Sequence, residues 1–346
     1  MKELNERQLK ILEITTSEKE ISSSDVFEVL NKKFPLITIK RDLSYLVSIK
    51  FLNKKGQGRG TKYTKTNLGN ILSPIDPLEY FKTEPDKRSA LDRFNFSLFD
   101  NFPKKIFLAR EHETLEEATN KYRSKLKNIT PIIQNKELER FIIELSWKSS
   151  KIEGNTYSLL DTEKLLKDGI PAKGHSKDET SMIINHKKAF SFVLDNLKSD
   201  IDVKFIEKVH ELLVSDLGIK KGFRSGLVGI TGTKYKPLDN KYQINEAMES
   251  LVRLINSIDD PYTKALVILA GISYIQPFED GNKRVSRLVS NAILLSRNCA
   301  PLSYRNADED EYKKAMLIFY EKNSLTFIKK IFIEQYLFSS LNYLVK

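Results

Sequence analysis

The sequence predicts a mostly α-helical protein whose helices are interrupted by two short β-hairpins. Three observations lead there. From about residue 129 onward, apolar residues recur at helical spacing, broken by one Gly- and Lys-rich stretch near 221–240. Residues 5–66 carry three short helical patterns followed by a Gly-rich basic hairpin. Between these regions, residues 68–85 hold Pro74, Pro77 and Pro85, with Gly69 near the start, the composition of a junction. The chain has 346 residues and is 40% hydrophobic, enough for two or three domains with a large core. The expected division is 1–67, a linker and variable helical region over 68–128, and a helical domain over 129–346.

The amino-terminal elements follow from local signals. Leu9, Ile11 and Leu12 mark a first helix, and Ser22 to Asp25 offers N-caps for a second that reaches about Lys32. Phe34-Pro35 makes a turn, and Thr38 is expected to cap a third helix with Ile39, Leu43, Leu46 and Val47 on its inner face. The opposite face shows Thr38, Lys40, Arg41, Ser44 and Tyr45. Phe51-Leu52 and Tyr63 bracket Lys54 to Lys62, a basic hairpin that includes Arg59. Residues 32–65 contain ten Lys or Arg against one acid, Asp42, a net +9 in a chain whose total is +11. Three helices and a basic hairpin resemble a winged helix-turn-helix, and Thr38 to Leu43 resembles the recognition helix of DeoR-type regulators. The resemblance implies DNA as a partner. The third helix would enter the major groove, with Arg59 and Lys62 reaching backbone or minor groove. A small winged domain with a solvated basic face that mediates protein contacts is the other reading.

Residues 88–122 look mixed and partly helical. The helical domain beyond contains the most informative stretch, Tyr274 to Leu288. Asp260-Pro261 starts a helix, with Asp as N-cap and Pro at the first helical position. Ala265, Leu266, Ile268, Leu269 and Ile272 make that helix buried, and Gln276-Pro277 ends it. Glu279 to Asn282 is a tight turn, and a second helix begins near Lys283 and runs to Leu295. Free backbone N–H groups at its start make an anion site, on which Arg284 and Arg287, three apart, can converge. Asp280 can hold a magnesium ion that shares the same phosphate oxygens.

That stretch resembles the signature of the Fic family, His-Pro-Phe-x-Asp/Glu-Gly-Asn-Gly/Lys-Arg-x-x-Arg. Pro277, Phe278, Asp280, Gly281, Asn282, Lys283, Arg284 and Arg287 all fit it. The resemblance implies a Fic-type helical core that binds ATP with Mg2+ through Gly281 to Arg284 and Arg287, and that transfers AMP to hydroxyls of a protein target or of itself. It also implies a flap hairpin that docks the target segment as an added strand, placed here at Gly232, Thr233, Lys234, Tyr235 and Lys236. Ser149 to Asn155 resembles the family's inhibitory motif, which pairs Glu153 with Arg287 and blocks the γ-phosphate. Fic proteins often dimerise, so a homodimer is a further expectation.

The chain departs from the signature at the catalytic position, where Gln276 replaces His. A glutamine amide can orient a hydroxyl or water, but it has no nitrogen that takes a proton at neutral pH. General-base catalysis contributes about 10²–10⁴-fold, so Gln276 implies a slow or inactive enzyme with its nucleotide seat intact. His112, His175, His186 and His210 are scattered and read as structural or surface residues. Lys283 resembles the Doc branch, which transfers phosphate, although that branch retains the His. Two functions follow: a DNA-binding regulator with a degenerate nucleotide-sensing domain, or a self-inhibited adenylyltransferase.

The remaining expectations are exclusions. A single cysteine, Cys299, excludes an internal disulfide and a Cys-based zinc site. No apolar run reaches membrane-spanning length and the amino terminus is polar, so a cytoplasmic protein with no membrane partner is expected.

Overall fold

A computed structural model describes residues 4–16, 19–100 and 102–345. Three helices, α1 (Glu6–Ile14), α2 (Ser23–Val29) and α3 (Leu36–Ser48), precede an antiparallel hairpin of β1 (Leu52–Lys55) and β2 (Lys62–Lys65). Asn5 and Ser22 each close a capping box on α1 and α2. Helix α2 is shorter than expected, ending at Val29, and Asn31 and Lys32 follow in left-handed conformation.

Thr38 is not a cap. Pro35 takes the N-cap position with φ −56° and ψ 139°, and its carbonyl accepts from the Thr38 and Ile39 amides at 2.9 and 3.2 Å. Thr38 therefore lies inside the first turn. The hairpin register pairs Leu52 with Lys65 and Lys55 with Lys62. Ile11, Leu12, Val26, Ile39, Leu43, Leu46, Phe51, Leu52 and Tyr63 form a core of their own.

Helix α4 (Asn67–Leu72) joins this core to the rest. A Cβ on Gly69 would fall 2.2 Å from the Phe51 carbonyl oxygen, so glycine permits the close approach. Leu72 packs against both hydrophobic cores. The Leu325 amide donates to the Ile71 carbonyl at 2.9 Å, and the Ser324 hydroxyl donates to the Ser73 carbonyl at 2.6 Å. After α5 (Pro77–Tyr80), an irregular segment crosses the body. There the Leu91 amide donates to the Glu321 carbonyl at 2.7 Å, and Phe94 stacks on Tyr274 at 4.8 Å.

The body contains α6 (Ala109–Leu126), α7 (Pro131–Ile152), α8 (Leu159–Asp168), α9 (Lys177–Asp195), α10 (Val203–Leu213), α11 (Lys241–Asn256), α12 (Pro261–Ile275), α13 (Asn282–Ser296), α14 (Glu309–Lys322) and α15 (Thr326–Asn342). Helix α12 is its axis. Asp260 caps it with Pro261 behind, and every residue from Tyr262 to Ile275 except Lys264 is buried. Burial on all sides suits the near-absence of polar residues in α12. It packs on α11, α13, α14 and α15, while α13 also meets α7, α9 and α10.

The second expected hairpin is not formed. Among the described residues the only paired strands are β1 and β2. Lys236 makes a one-residue parallel bridge with Arg93 instead. Tyr235 is 2% exposed and donates its hydroxyl to the Tyr274 carbonyl at 3.0 Å. A residue anchored that way cannot sit at the tip of a free hairpin. No helix among the described residues is long and apolar enough to cross a membrane.

Candidate functional site

The turn between α12 and α13 is built from its own side chains. Helix α12 ends because Gln276 adopts a left-handed conformation, φ 52°, just before Pro277. Buried Arg224 holds this exit, its Nε donating to the Gln276 carbonyl at 2.6 Å and its amide to the Pro277 carbonyl at 3.0 Å. Asn282 closes the loop. Its Oδ1 accepts from the Phe278 amide and its Nδ2 donates to the Phe278 carbonyl, both at 2.9 Å. Gly281, φ 83°, then starts α13 one residue earlier than its sequence suggests. The Asn282 side chain thus shapes the loop.

His210 supports the turn from below. Its ring stacks on Phe278 with centroids 3.8 Å apart, and Nε2–H donates to the Asp280 carbonyl at 3.1 Å. Burial pushes its pKa down to about 4, so the ring is neutral near pH 7. The other histidines are equally occupied: His186 faces Ser146 in the core, His112 faces Asp260, and His175 faces Thr156. None is placed to act as a base at the turn.

Gln276 is locked. Its Nε2 donates to the Ser273 carbonyl at 2.6 Å, and its Oε1 accepts from Asn282 Nδ2 at 3.0 Å. Both ends of the amide are engaged within the protein.

A cavity of about 510 Å³ opens over the turn. Gln276, Glu279, Asp280, Gly281, Asn282 and Lys283 form its floor, and Ile152 to Gly154 form one wall. Lys313, Met316, Leu317 and Tyr320 of α14 form another, and Val228 to Thr231 form the roof. The volume is of the size that takes a small-molecule ligand. Arg284 and Arg287 do not line it. Arg284 is buried with Nη2 on Asp280 Oδ2 at 2.6 Å. Arg287 is fully buried, its Nε donating to Ser149 Oγ at 2.9 Å and its Nη2 to the Ser149 carbonyl at 2.8 Å and Glu153 Oε1 at 2.9 Å.

Glu153 thus stands between the cavity and Arg287. It has a second partner that its sequence did not signal: Lys283 Nζ donates to Oε2 at 3.2 Å. Burial alone would raise the Glu153 carboxyl, but the charges of Arg287 and then Lys283 outweigh it and hold the pKa below the usual carboxylate range. The loop behind Glu153 is fixed to α9, where the Asn155 side-chain amide donates to the Glu179 carbonyl at 2.8 Å and the Thr156 amide donates to Glu179 Oε1 at 2.9 Å. Two nitrogens of Arg284, Nε and Nη1, and one of Arg287, Nη1, are buried with no partner. Buried unpaired guanidinium N–H groups at a helix start fit the oxygens of a phosphate chain. A magnesium ion fits on a narrower basis. No cluster of three or more His, Cys, Asp or Glu among the described residues could hold a metal, so such an ion must share ligands with the phosphates, beside exposed Asp280.

Around the amino-terminal core, Lys40, Arg41, Ser44 and Arg59 are exposed, and Thr38, Tyr45 and Lys62 are half-buried. Lys62 pairs with Asp25 at 3.4 Å, and Lys55 pairs with Glu20 at 3.0 Å. Asp42 faces inward to Arg7 and Gln8, so the third helix shows cations outward and its acid inward.

The residues that sequence reasoning missed are Arg224, Lys313, Tyr320 and the roof at 228–231. The spacing Gly226-x-x-Gly229 beside Leu227 was the available signal for the roof.

Comparisons with known proteins agree with this geometry. A model of the Fic/DOC family matches residues 200–294. Protein adenylyltransferase Fic of Aedes aegypti is 25% identical over 214 residues, covering 60% of this chain and 43% of the relative. Protein adenylyltransferase fic-1 of Caenorhabditis elegans is 26% identical over 159 residues, covering 44% and 31%. The chain therefore spans less than half the length of these curated relatives. A Fic domain containing signaling protein from Bacteroides thetaiotaomicron superposes with TM-score 0.58 at 21% identity, over 66% of this chain and 94% of that one. Fic-1 from C. elegans superposes with TM-score 0.57 at 20% identity, over 68% and 71%. The structures show the shared fold, and the matches together support a Fic/Fido family protein.

Proposed function

We propose that this chain is a nucleotide-binding regulator, a Fic-type domain joined to a DNA-binding winged helix, whose transfer chemistry is suppressed at its base. The observation that carries it is the state of Gln276. Its amide is tied at both ends, while Arg284 and Arg287, buried behind Asp280 and Glu153, keep guanidinium N–H groups with no partner among the described residues. Binding without proton abstraction is the behaviour this set of residues supports.

ATP would enter the cavity with its phosphates over the Gly281 turn and its base among Val228, Ile230, Met316 and Tyr320. Arg284 and Arg287 would supply donors, and a magnesium ion, where bound, would neutralise charge beside Asp280. Glu153 acts as an internal anion on Arg287 and Lys283, so a nucleotide that reaches both must displace it. Lys40, Arg41, Ser44, Tyr45, Thr38, Arg59 and Lys62 would meet DNA, with Lys62 exchanging Asp25 for phosphate. Helix α4 and the segment behind it would couple the two parts.

The second reading is a self-inhibited adenylyltransferase that modifies protein hydroxyls. The curated relatives favour it. One titration series tests both: calorimetry of ATP with Mg2+ into the protein and into Glu153→Gly. The expected result is tighter binding in the variant, with no AMP transferred to any protein. Transfer by the Glu153→Gly protein with Gln276 in place would establish the second reading. Absence of binding in both forms would end the nucleotide reading. Gln276→His is expected to raise any transfer by about 10²-fold or more, as removal and restoration of a general base generally do.

A further inference from the structure

We infer that Glu309 is a positioning residue for Glu153: with Lys148 and Lys151 it forms a clasp that ties α7 to α14 and keeps Glu153 in front of Arg287. The inference rests on the reading of the cavity as a nucleotide site in what the clasp controls, which is the access of a phosphate chain to Arg287.

The two helices supply two walls of the same cavity. Helix α7 ends at Ile152 and Glu153 is its C-cap, so the wall at 152–154 continues α7 directly. Lys313, Met316, Leu317 and Tyr320 of α14 form another wall. Among the described residues, both ion pairs between α7 and α14 end on Glu309, the first residue of α14. Lys148 Nζ donates to Glu309 Oε1 at 3.0 Å, and Lys151 Nζ lies 3.7 Å from the same oxygen. Lys148 is buried, and Glu309 is its acid partner. Each charge sits where its own helix favours it, the cations in the last two turns of α7 and the anion in the first turn of α14. Asp308, Asp310 and Glu311, the other acids at this helix start, are in no ion pair among the described residues. The contact with α7 is therefore particular to Glu309.

Local hydrogen bonds carry the constraint to Glu153. The Glu153 and Asn155 amides donate to the Ser150 carbonyl at 3.0 and 3.1 Å, and the Gly154 amide donates to the Lys151 carbonyl at 2.9 Å. Trp147 braces the same turn. Its Nε1 donates to the Tyr157 carbonyl at 3.1 Å, and the Lys148 and Lys151 ammonium groups lie 5.6 and 5.3 Å from its ring centroid. Ser149, between the two lysines, holds Arg287 through Nε and Nη2. The clasp thus sets both the hydroxyl and the carboxylate that face Arg287. Withdrawing the end of α7 from Arg287 requires these pairs to part or α14 to follow, and parting them leaves Lys148 buried without its acid, which is costly. That cost adds to what a phosphate chain must overcome to replace Glu153.

Calorimetry of ATP with Mg2+, and hydrogen exchange on the nucleotide-free full chain, test the clasp. Glu309→Gln is expected to raise ATP affinity by about fivefold or more, and to change it by less than about twofold in the Glu153→Gly background. Without nucleotide, the Glu153, Gly154 and Asn155 amides are expected to exchange faster in Glu309→Gln, and emission from Trp147, the single tryptophan, to shift. Asp310→Gln, one residue along, is expected to match the parent in every reading. Lys151→Glu repels Glu309 while leaving Lys148 paired, and is expected to move each reading in the same direction if Glu309→Gln fails to fold. An affinity gain of equal size with and without Glu153 overturns the inference, since the pair would then act on the wall and not through Glu153. Unchanged or weaker ATP binding in Glu309→Gln and Lys151→Glu, where Glu153→Gly binds more tightly, overturns it as well. Faster exchange at 153–155 in a protein that takes no ATP in any form, Glu153→Gly included, keeps the clasp and removes the nucleotide reading instead.

Discussion

The two cationic regions of this molecule solve opposite problems. At the α12–α13 turn, Arg284 and Arg287 are buried and held at fixed distance from Asp280, Ser149 and Glu153. On the amino-terminal unit, Lys40, Arg41 and Arg59 are exposed and in no ion pair among the described residues. Buried cations cost desolvation and so carry an internal counter-anion that a ligand must replace. Exposed cations keep water and mobile ions as partners, and a polyanion binds them by releasing those ions. The first arrangement selects shape and charge at one spot, whereas the second reads a charged surface from a distance.

Salt separates them most sharply. If about five cations of the amino-terminal unit meet DNA phosphates, affinity for a duplex is expected to fall about 10²–10³-fold between roughly 50 and 200 mM salt. ATP affinity for the buried site should change by only a few-fold over the same range, since enclosed pairs are screened less. Anisotropy for DNA and calorimetry for ATP measure the two slopes. Parallel slopes would erase the distinction.

Acid attacks the buried region next. His210 is neutral and its pKa is lowered from 6.5 to about 4 by burial. The unfolded chain therefore binds the proton first, and stability falls as pH drops from about 6.5 towards 4. The shift corresponds to about 3 kcal/mol once the pH is below both values. His186, lowered well below its ordinary value by burial, acts in the same direction. Glu153 does not contribute in this window. Its pKa is depressed, so its pairing persists down to the ordinary carboxylate range and is lost only below it. Urea denaturation from pH 7 to 4.5, with His210→Gln as control, measures the term. A flat profile in the parent would show that the His210 pKa is not lowered under Phe278.

The same contrast explains what the sequence made legible. Caps and turns depend on neighbours in the chain, so Asp260-Pro261, Ser22 and the Gly281 turn read correctly. The Glu153–Arg287 pair came from a family pattern; its second partner, Lys283, 130 residues from Glu153, had no local signal. Thr38 misled because an N-cap preference is weaker than Pro35's fixed φ one turn earlier. Lys234 to Lys236 looked like a hairpin by composition, yet burial of Tyr235 against Tyr274 decides their path. The locked amide of Gln276 was equally hidden, since Asn282 in sequence offers itself to a ligand as readily as to a neighbour.

The joint between the two regions is the subtlest place to press. Gly69 lets α4 approach the hairpin so closely that a Cβ would meet the Phe51 carbonyl oxygen at 2.2 Å, with Lys65 Cγ at 2.9 Å. Its backbone is an ordinary helix, so Gly69→Ala carries no conformational strain and even gains helix propensity, about 1 kcal/mol in an unobstructed site. The clash is with backbone and cannot be relieved by a rotamer change. Forcing such a contact costs about 1–3 kcal/mol, so a small net loss is expected. It should fall on the amino-terminal unit, because α4 remains tied to the body through Ile71, Ser73 and the α14–α15 turn. Hydrogen exchange reads this directly: amides of β1 and β2 should lose protection while those of α12 and α13 keep theirs. Equal loss in both would mean that the two cores unfold as one unit, and that the difference between exposed and buried cations is not matched by a difference in local stability.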